Sequence, residues 1–493
     1  MKRPVLKIVV FLSVFTLLIS QLLVQTGCAN IIPPLGGPRD SLPPVLLNAK
    51  PKDSTKNFTG DRISFEFDEF VDIQDVQKNL IISPVPKVMP NVERRYTTVN
   101  VKLRDTLEPN TTYTLDFGNA IKDINEGNVY KNFTYIFSTG NYFDSLQLHG
   151  RVLLAKDASI DTSITVMLHK NLDDSALIKE KPRYVAKVDK QGFFHFRNLP
   201  PGTYGLYAMK DEGGTYRFSG RDQLFAFADK PVVTGDTTFY MLYAFQDNEG
   251  APSGIPPKKQ QPSKEKRLVI KTNLDNNKQD LLKDLKLTID APYKDFDTSK
   301  IVFARDSTFT PVDDYSLETD TTGKIVTLKT QWKENTHYYL ILDKDFASDT
   351  LGNKLLKTDT ISFVTKKTSD YGTIRLKLLN LDMSKNPVLL LLQNNNVVDS
   401  AIMTSPDFFR QMIPPGDYEL RILQDDNKNG KWDPGTFFGT RKQPELIKPL
   451  AQKINIKPNW ENEFERDSRA IAVPQSKGAP PPSAQPVTPG RRN

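Results

Sequence analysis

Cysteine is nearly missing from this 493-residue chain. Cys28 stands alone, so no disulfide can staple the fold and stability must come from apolar cores. Histidine is scarce too. His149, His169, His195 and His337 are the four present, and none stands in a His-Glu-x-x-His or comparable metal-binding spacing. No Gly-x-Ser-x-Gly elbow and no phosphate-binding Gly-x-x-x-x-Gly-Lys-Ser/Thr loop occurs, which removes two common enzyme signatures. Asp68, Glu69 and Asp72 are close in sequence, but they close a strand-like segment, where turn formation explains them better than glycosidase chemistry. A basic face is lacking as well. The net charge is +7, yet Lys2, Arg3 and Lys7 lie in the N-terminal segment and Arg469, Lys477, Arg491 and Arg492 in the C-terminal tail. The body between is close to neutral, so nucleic acid is not an expected partner. The chain reads as non-enzymatic.

What is present favours strands. Ile63-Phe65-Phe67, Val99-Val101-Leu103, Tyr113-Leu115-Phe117 and Tyr135-Phe137 alternate with mostly polar neighbours, placing one face in a core and one in water. The 35 prolines and 26 glycines supply turns rather than long helices. Length suggests roughly three or four domains. The expectation is an all-β chain of tandem β-sandwiches.

Particular motifs sharpen it. Residues 42–140 hold Phe65-Glu66-Phe67-Asp68-Glu69-Phe70-Val71-Asp72, then Leu107-Glu108-Pro109-Asn110-Thr111-Thr112-Tyr113, then Asp123 with Gly127-Asn128, and a closing strand Phe133–Thr139. This segment resembles the SbsA-like bacterial Ig-like domain. A diverged second copy over 267–367 repeats the pattern with Leu285–Asp290, Lys333–Leu342, Asp349-Thr350-Leu351-Gly352-Asn353 and Ile361–Thr365.

Another kind of module follows each copy. Residues 145–245 contain Phe193-Phe194, then Pro200-Pro201-Gly202-Thr203-Tyr204-Gly205-Leu206; residues 371–467 contain Phe408-Phe409, then Pro414-Pro415-Gly416-Asp417-Tyr418-Glu419-Leu420. Pro-Pro-Gly sets a rigid φ and then a permissive one, suiting a tight turn between strands. The pattern resembles the carboxypeptidase regulatory-like, or prealbumin-like, β-sandwich, a module without peptidase activity. The order is A-B-A′-B′. A Pro/Lys/Gln-rich linker (246–266) joins the halves, and a polar, proline-rich tail (468–493) is expected to be disordered.

The N-terminus carries a basic start, an apolar run from Ile8 to Val24 and then Val24-Gln25-Thr26-Gly27-Cys28. It resembles a lipoprotein signal peptide (1–27) whose lipobox ends at Cys28, although Gln25 stands where Leu, Val or Ile is usual. The resemblance implies lipid attachment at Cys28, with membrane lipid as a partner. Residues 28–41 then read as a Pro/Gly-rich tether, similar to the openings of Bacteroidota lipoproteins. An outer-membrane location follows, its periplasmic or extracellular face left open because no acidic cluster follows Cys28.

One loop offers ligand chemistry. In Asp425-Asp426-Asn427-Lys428-Asn429-Gly430-Lys431-Trp432-Asp433, the oxygens of Asp425, Asn427, Asn429 and Asp433 alternate as in the first half of a Ca²⁺ loop, but Thr436 occupies the place of the closing Glu. A structural Ca²⁺ site and an Asx-rich hairpin turn both remain open, and no other cofactor is expected. The reading is a spacer or interaction scaffold of the cell envelope. The alternatives are a carbohydrate- or cell-wall-binding lipoprotein, with Trp432 and Phe437-Phe438 as the suggestive cluster, and an accessory subunit of an envelope enzyme or secretion complex. The envelope protein or glycan it would meet is not specified by sequence.

Overall fold

The computed structural model describes residues 12–16, 40–211, 213–247, 267–306 and 308–470. Cys28, the tether up to residue 39, the linker residues 248–266 and the tail from 471 lie outside the described residues.

Module A is a sandwich made by period-2 strands. Arg62–Phe67 turns Ile63, Phe65 and Phe67 inward and its polar residues outward. It lies between Leu46–Lys50 and Thr98–Lys102, with Asn91–Arg95 beyond. The facing sheet orders Ile81–Ser83, Thr112–Gly118 and Phe133–Ser138. Phe65 meets Phe117, Phe133 and Tyr135 edge-on at 5.0–5.6 Å between centroids, the geometry that ring quadrupoles favour.

The motifs act as hydrogen-bond devices, and module A′ repeats them. Asp68 accepts the Val45 N–H at 2.7 Å, and Asp290 accepts that of Val269 at 3.0 Å, each fastening the first strand to the second. Thr139 Oγ1 donates to Glu108 O and accepts from Thr111 N; Thr365 does the same with Lys333 and Thr336. Asp123 accepts from the N–H groups of Glu126, Gly127 and Asn128, and Asp349 from those of Leu351 and Asn353. Burial pushes the Asp123 carboxyl up, but those N–H bonds hold it below its ordinary value. Strand order agrees as well. Ile270–Thr272, Leu285–Ile289, Ile325–Lys329 and Ser316–Thr319 form one sheet of A′. Asp359–Thr365, His337–Leu342 and Ile301–Arg305 form the core of the other, with the short Lys278–Gln279 and Thr310–Pro311 at its edges. The divergence at the start of A′ leaves the layering intact.

Module B places Leu146–Leu154 between antiparallel Phe193–Leu199 and parallel Phe239–Ala244. Gly150 is needed there, because a Cβ would run into the Tyr240 carbonyl and the Phe194 ring. The second sheet orders Tyr184–Lys187, Ile164–His169, Thr203–Lys210 and Phe225–Phe227, with Val232–Val233 on the start of Thr203–Lys210. Module B′ reproduces both sheets strand for strand, including the parallel pair Gly372–Leu379 with Glu461–Asp467. The register corrects the sequence alignment in one place. Phe408 pairs with Leu376 as Phe194 pairs with Gly150, so Phe409 occupies the position of His195 and the two Phe-Phe pairs are offset by one. Pleat alternation decides this, since Phe194 and Phe408 must both face inward. Ordered packing also runs slightly past the expected start of the tail. Ser468 N donates to Leu379 O, and Ala451 N to Ala470 O at 2.8 Å.

Modules touch beyond their linkers. Between A and B, Val85 N donates to Arg183 O at 2.9 Å, and the Arg183 guanidinium grips Glu108 with two bonds of 2.5 and 2.7 Å. Between A′ and B′, the buried Tyr371 donates its hydroxyl to Asp280 and accepts from Leu281 N, both at 2.8 Å. Modules B and B′ meet through the loop described next.

Candidate functional site: the Asx-rich loop between modules B and B′

The strand Gly416–Gln424 is followed by Asp425, which is 1% exposed. Its carboxylate accepts from Asn429 N at 3.2 Å and Gly430 N at 2.7 Å. In module B the equivalent Asp211 accepts from Thr215 N at 3.2 Å and Tyr216 N at 2.6 Å. The same carboxylate-closed turn thus occurs in both copies, although only B′ carries the alternating Asx residues. Asn427 Oδ1 and Asn429 Oδ1 accept from Asn429 N and Lys431 N, and both side-chain amides donate to Asp433 Oδ2. The four residues singled out from sequence do converge, held by N–H donors.

The loop is no tight hairpin. Gln424 pairs with Leu446, so residues 425–445 form one long connection. Thr436, at the expected twelfth position, bonds Lys442 and Thr440 instead. The carboxylate that closes the loop is instead Glu445, which sequence reasoning missed and which binds backbone N–H groups. The Glu445 carboxylate, 1% exposed, accepts Asp426 N and Asp433 N at 3.0 Å each. Burial pushes its pKa up; the two N–H bonds oppose this, while Asp433 and Asp425 add to the rise. A signal existed in the strand-opening Pro444-Glu445, but nothing in local spacing links it to residue 425. Among the described residues, no group of three or more His, Cys, Asp or Glu side chains is placed to hold a metal ion.

Replacing Asp425 with alanine takes the acceptor from the half-buried Gly430 N–H, while Asn429 N keeps Asn427 Oδ1, and should lower stability by about 1–2 kcal/mol. A chemical-denaturation midpoint equal to wild type would contradict this role.

The aromatic cluster faces module B. Phe437 is 3% exposed and lies 5.0–5.7 Å from the rings of Tyr207, Phe225 and Phe227. Phe438 meets Phe218 at 5.1 Å. Trp432 donates Nε1–H to Glu445 O at 2.7 Å and lies under the Lys156 ammonium. Polar contacts rim this packing: Arg441 pairs with Asp174, Gln443 reaches Phe227 O and Asp229, and Ile447 N donates to Ala155 O. Together they form an interface with an apolar centre and a polar edge.

The other sequence candidates serve structure. Asp68 fastens a strand, Asp72 pairs with Arg94 at 2.9 Å, and burial with neighbouring carboxylates raises the Glu69 pKa. His149 and His195 are neighbours on an outer sheet face of B, whereas His169 is buried and His337 is exposed at a strand start.

Comparison with known proteins agrees with module A. Residues 40–139 match the family model described as bacterial Ig-like domain. No curated protein matches the chain significantly. Similar solved structures include the Bacillus anthracis TIE protein, at 11% identity over 90% of this chain and 76% of that one, with a TM-score of 0.16. The major pilin subunit BcpA of Bacillus cereus is 12% identical over 65% of this chain and 99% of that one, with a TM-score of 0.16. The S-layer protein SbsC is 12% identical over 85% of this chain and 54% of that one, with a TM-score of 0.15. Superposition this poor carries no functional argument. No helix among the described residues is long and apolar enough to cross a membrane.

Proposed function

We propose that this chain is a non-enzymatic, lipid-anchored protein of the cell envelope, acting as a spacer or interaction scaffold. The observation that carries the scaffold reading is the use of the loop 425–445. The loop that carries the ligand-like residues also docks module B′ on module B through Phe437, Arg441 and Gln443, so the two repeats are joined by more than their linker. An Ig-like module at 40–139 fits a chain that presents sheets and end loops to partners. Membrane lipid is the proposed partner at Cys28, and an envelope protein at the exposed sheet faces. The outer membrane is the proposed location, with either face allowed.

The anchor is tested by growth with a fatty-acid probe. Label should appear on the wild-type chain and vanish in Cys28→Ala; an unlabelled wild type would overturn the anchor. Calcium is a separate proposal, with Asp425, Asn427, Asn429 and Asp433 as ligands and Glu445 beside them. A thermal midpoint that rises with Ca²⁺ and falls with EDTA supports it. An unchanged midpoint leaves the loop a hydrogen-bonded strut.

A further inference from the structure

Module A meets B along Ile81–Ser83 and Tyr184–Lys187, and on one side of this contact lies a cleft of about 620 Å³. That volume is in the range of small-molecule sites, which favour domain junctions. Lys87, Arg104, Lys170, Lys181, Arg183 and Arg217 line it, against the carboxylates of Asp105, Glu108 and Glu180.

The carboxylates are already committed. Glu108 holds Arg183, Asp105 accepts from Lys87 N and Thr106 N, and Glu180 accepts from the Asn171 amide. The Arg183 hydrogen bond, with burial opposing it and the charges of Arg183, Lys170 and Lys87 adding to it, holds the Glu108 pKa below its ordinary value. Among the described residues, Lys87, Arg104, Lys170, Lys181 and Arg217 form no ion pair with a carboxylate. Charges of one sign gathered in a concave site focus the field on a ligand of the other sign.

The wall holds a second, independent feature. His169 contributes to it while only 1% exposed, and its Nε2 has no hydrogen-bond partner. A buried polar atom left in this state is costly and points to a ligand or water as its complement. Pro84, Val85, Pro86 and Pro182 supply rigid apolar wall beside the cations.

We infer that the A–B cleft binds a ligand bearing two or more phosphate groups, either a soluble phosphorylated compound or a lipid headgroup. The cations that would meet it are Arg104, Lys170 and Arg217 with Lys87 and Lys181, and Arg183 stays paired to Glu108 as the brace between modules. This goes beyond the scaffold reading and does not depend on the lipid at Cys28.

The test is titration of the full chain with pyrophosphate at low salt, beside the variant R104Q/K170Q/R217Q and a control variant, K271Q/K286Q/K377Q. The site variant should bind about tenfold more weakly or worse, the control within about twofold of wild type, and wild-type affinity should fall as salt rises. Equal thermal midpoints would show that the site variant is folded. No saturable binding by wild type, or equal losses in both variants, would overturn the inference. Sedimentation with vesicles of anionic phospholipid separates the sources. Site-dependent sedimentation assigns a headgroup, and pyrophosphate binding without it assigns a soluble ligand.

Discussion

Replacing Phe437 with aspartate should separate module B′ from module B while each sandwich stays folded. Phe437 belongs to a loop, so the strands of B′ do not need it, yet its ring fills the space among Tyr207, Phe225 and Phe227 of the other module. Truncating such a ring to alanine costs about 3–5 kcal/mol in a packed core, and a buried unpaired carboxylate costs more. The loss falls on the interface, where the Arg441–Asp174 pair and the Gln443 bonds are too exposed to compensate. In calorimetry, B and B′ should melt together in the wild type and apart in Phe437→Asp. Hydrogen exchange should rise in Phe225–Phe227 and 425–445 but not in Leu146–Leu154. Unchanged melting would mean that the contact adds no stability.

His169 gives the second large effect, which appears in mild acid. Its ring is 1% exposed, packed edge-on against Tyr207 at 5.7 Å. Burial drives its pKa from an ordinary 6.5 down to about 4, and the nearby Glu180 only partly opposes this. Between those values the unfolded chain binds a proton that the folded chain refuses. Stability is therefore full above pH 6.5, falls as the pH drops toward 4, and loses no more from this group below that. Integrated over the window, the loss is roughly 3 kcal/mol. Carboxylates held low in the fold, such as Asp123 and Asp349, act in a more acidic range. In His169→Phe the fall in urea midpoint between pH 6.5 and 4 should be clearly shallower than in wild type, the remainder coming from groups such as His195, with the raised Glu445 acting in the opposite sense. Parallel profiles for variant and wild type would contradict a neutral buried imidazole.

Much of the fold was legible because its determinants are local. Alternation placed Ile63, Phe65 and Phe67 on one face, and short motifs such as Asp123…Gly127-Asn128 are complete hydrogen-bond units within a few residues. The repeat order could be read because the same units recur at Asp349 and Thr365. The one-residue offset of Phe408 escaped, since a Phe-Phe pair looks the same in either register and only the partner strand chooses between them.

The candidate loop was half legible. Alternating oxygens identified Asp425, Asn427, Asn429 and Asp433 as a group, and they do converge. Glu445 and the docking on module B were not readable, because both depend on contacts made after the long connection folds back. Trp432 and Phe437-Phe438 stood out as a cluster, but the module that packs against them could not be read for the same reason. A sequence shows that aromatics are clustered, but not what covers them.

The claim at the centre of this account is that B and B′ form one joined body. It is tested most directly by placing cysteines at Asp174 and Arg441 in a Cys28→Ala chain, then treating dilute protein with a short bismaleimide. The account predicts rapid intramolecular cross-linking that is suppressed when Phe437→Asp is added. Absence of cross-linking in the folded double-cysteine chain would contradict it.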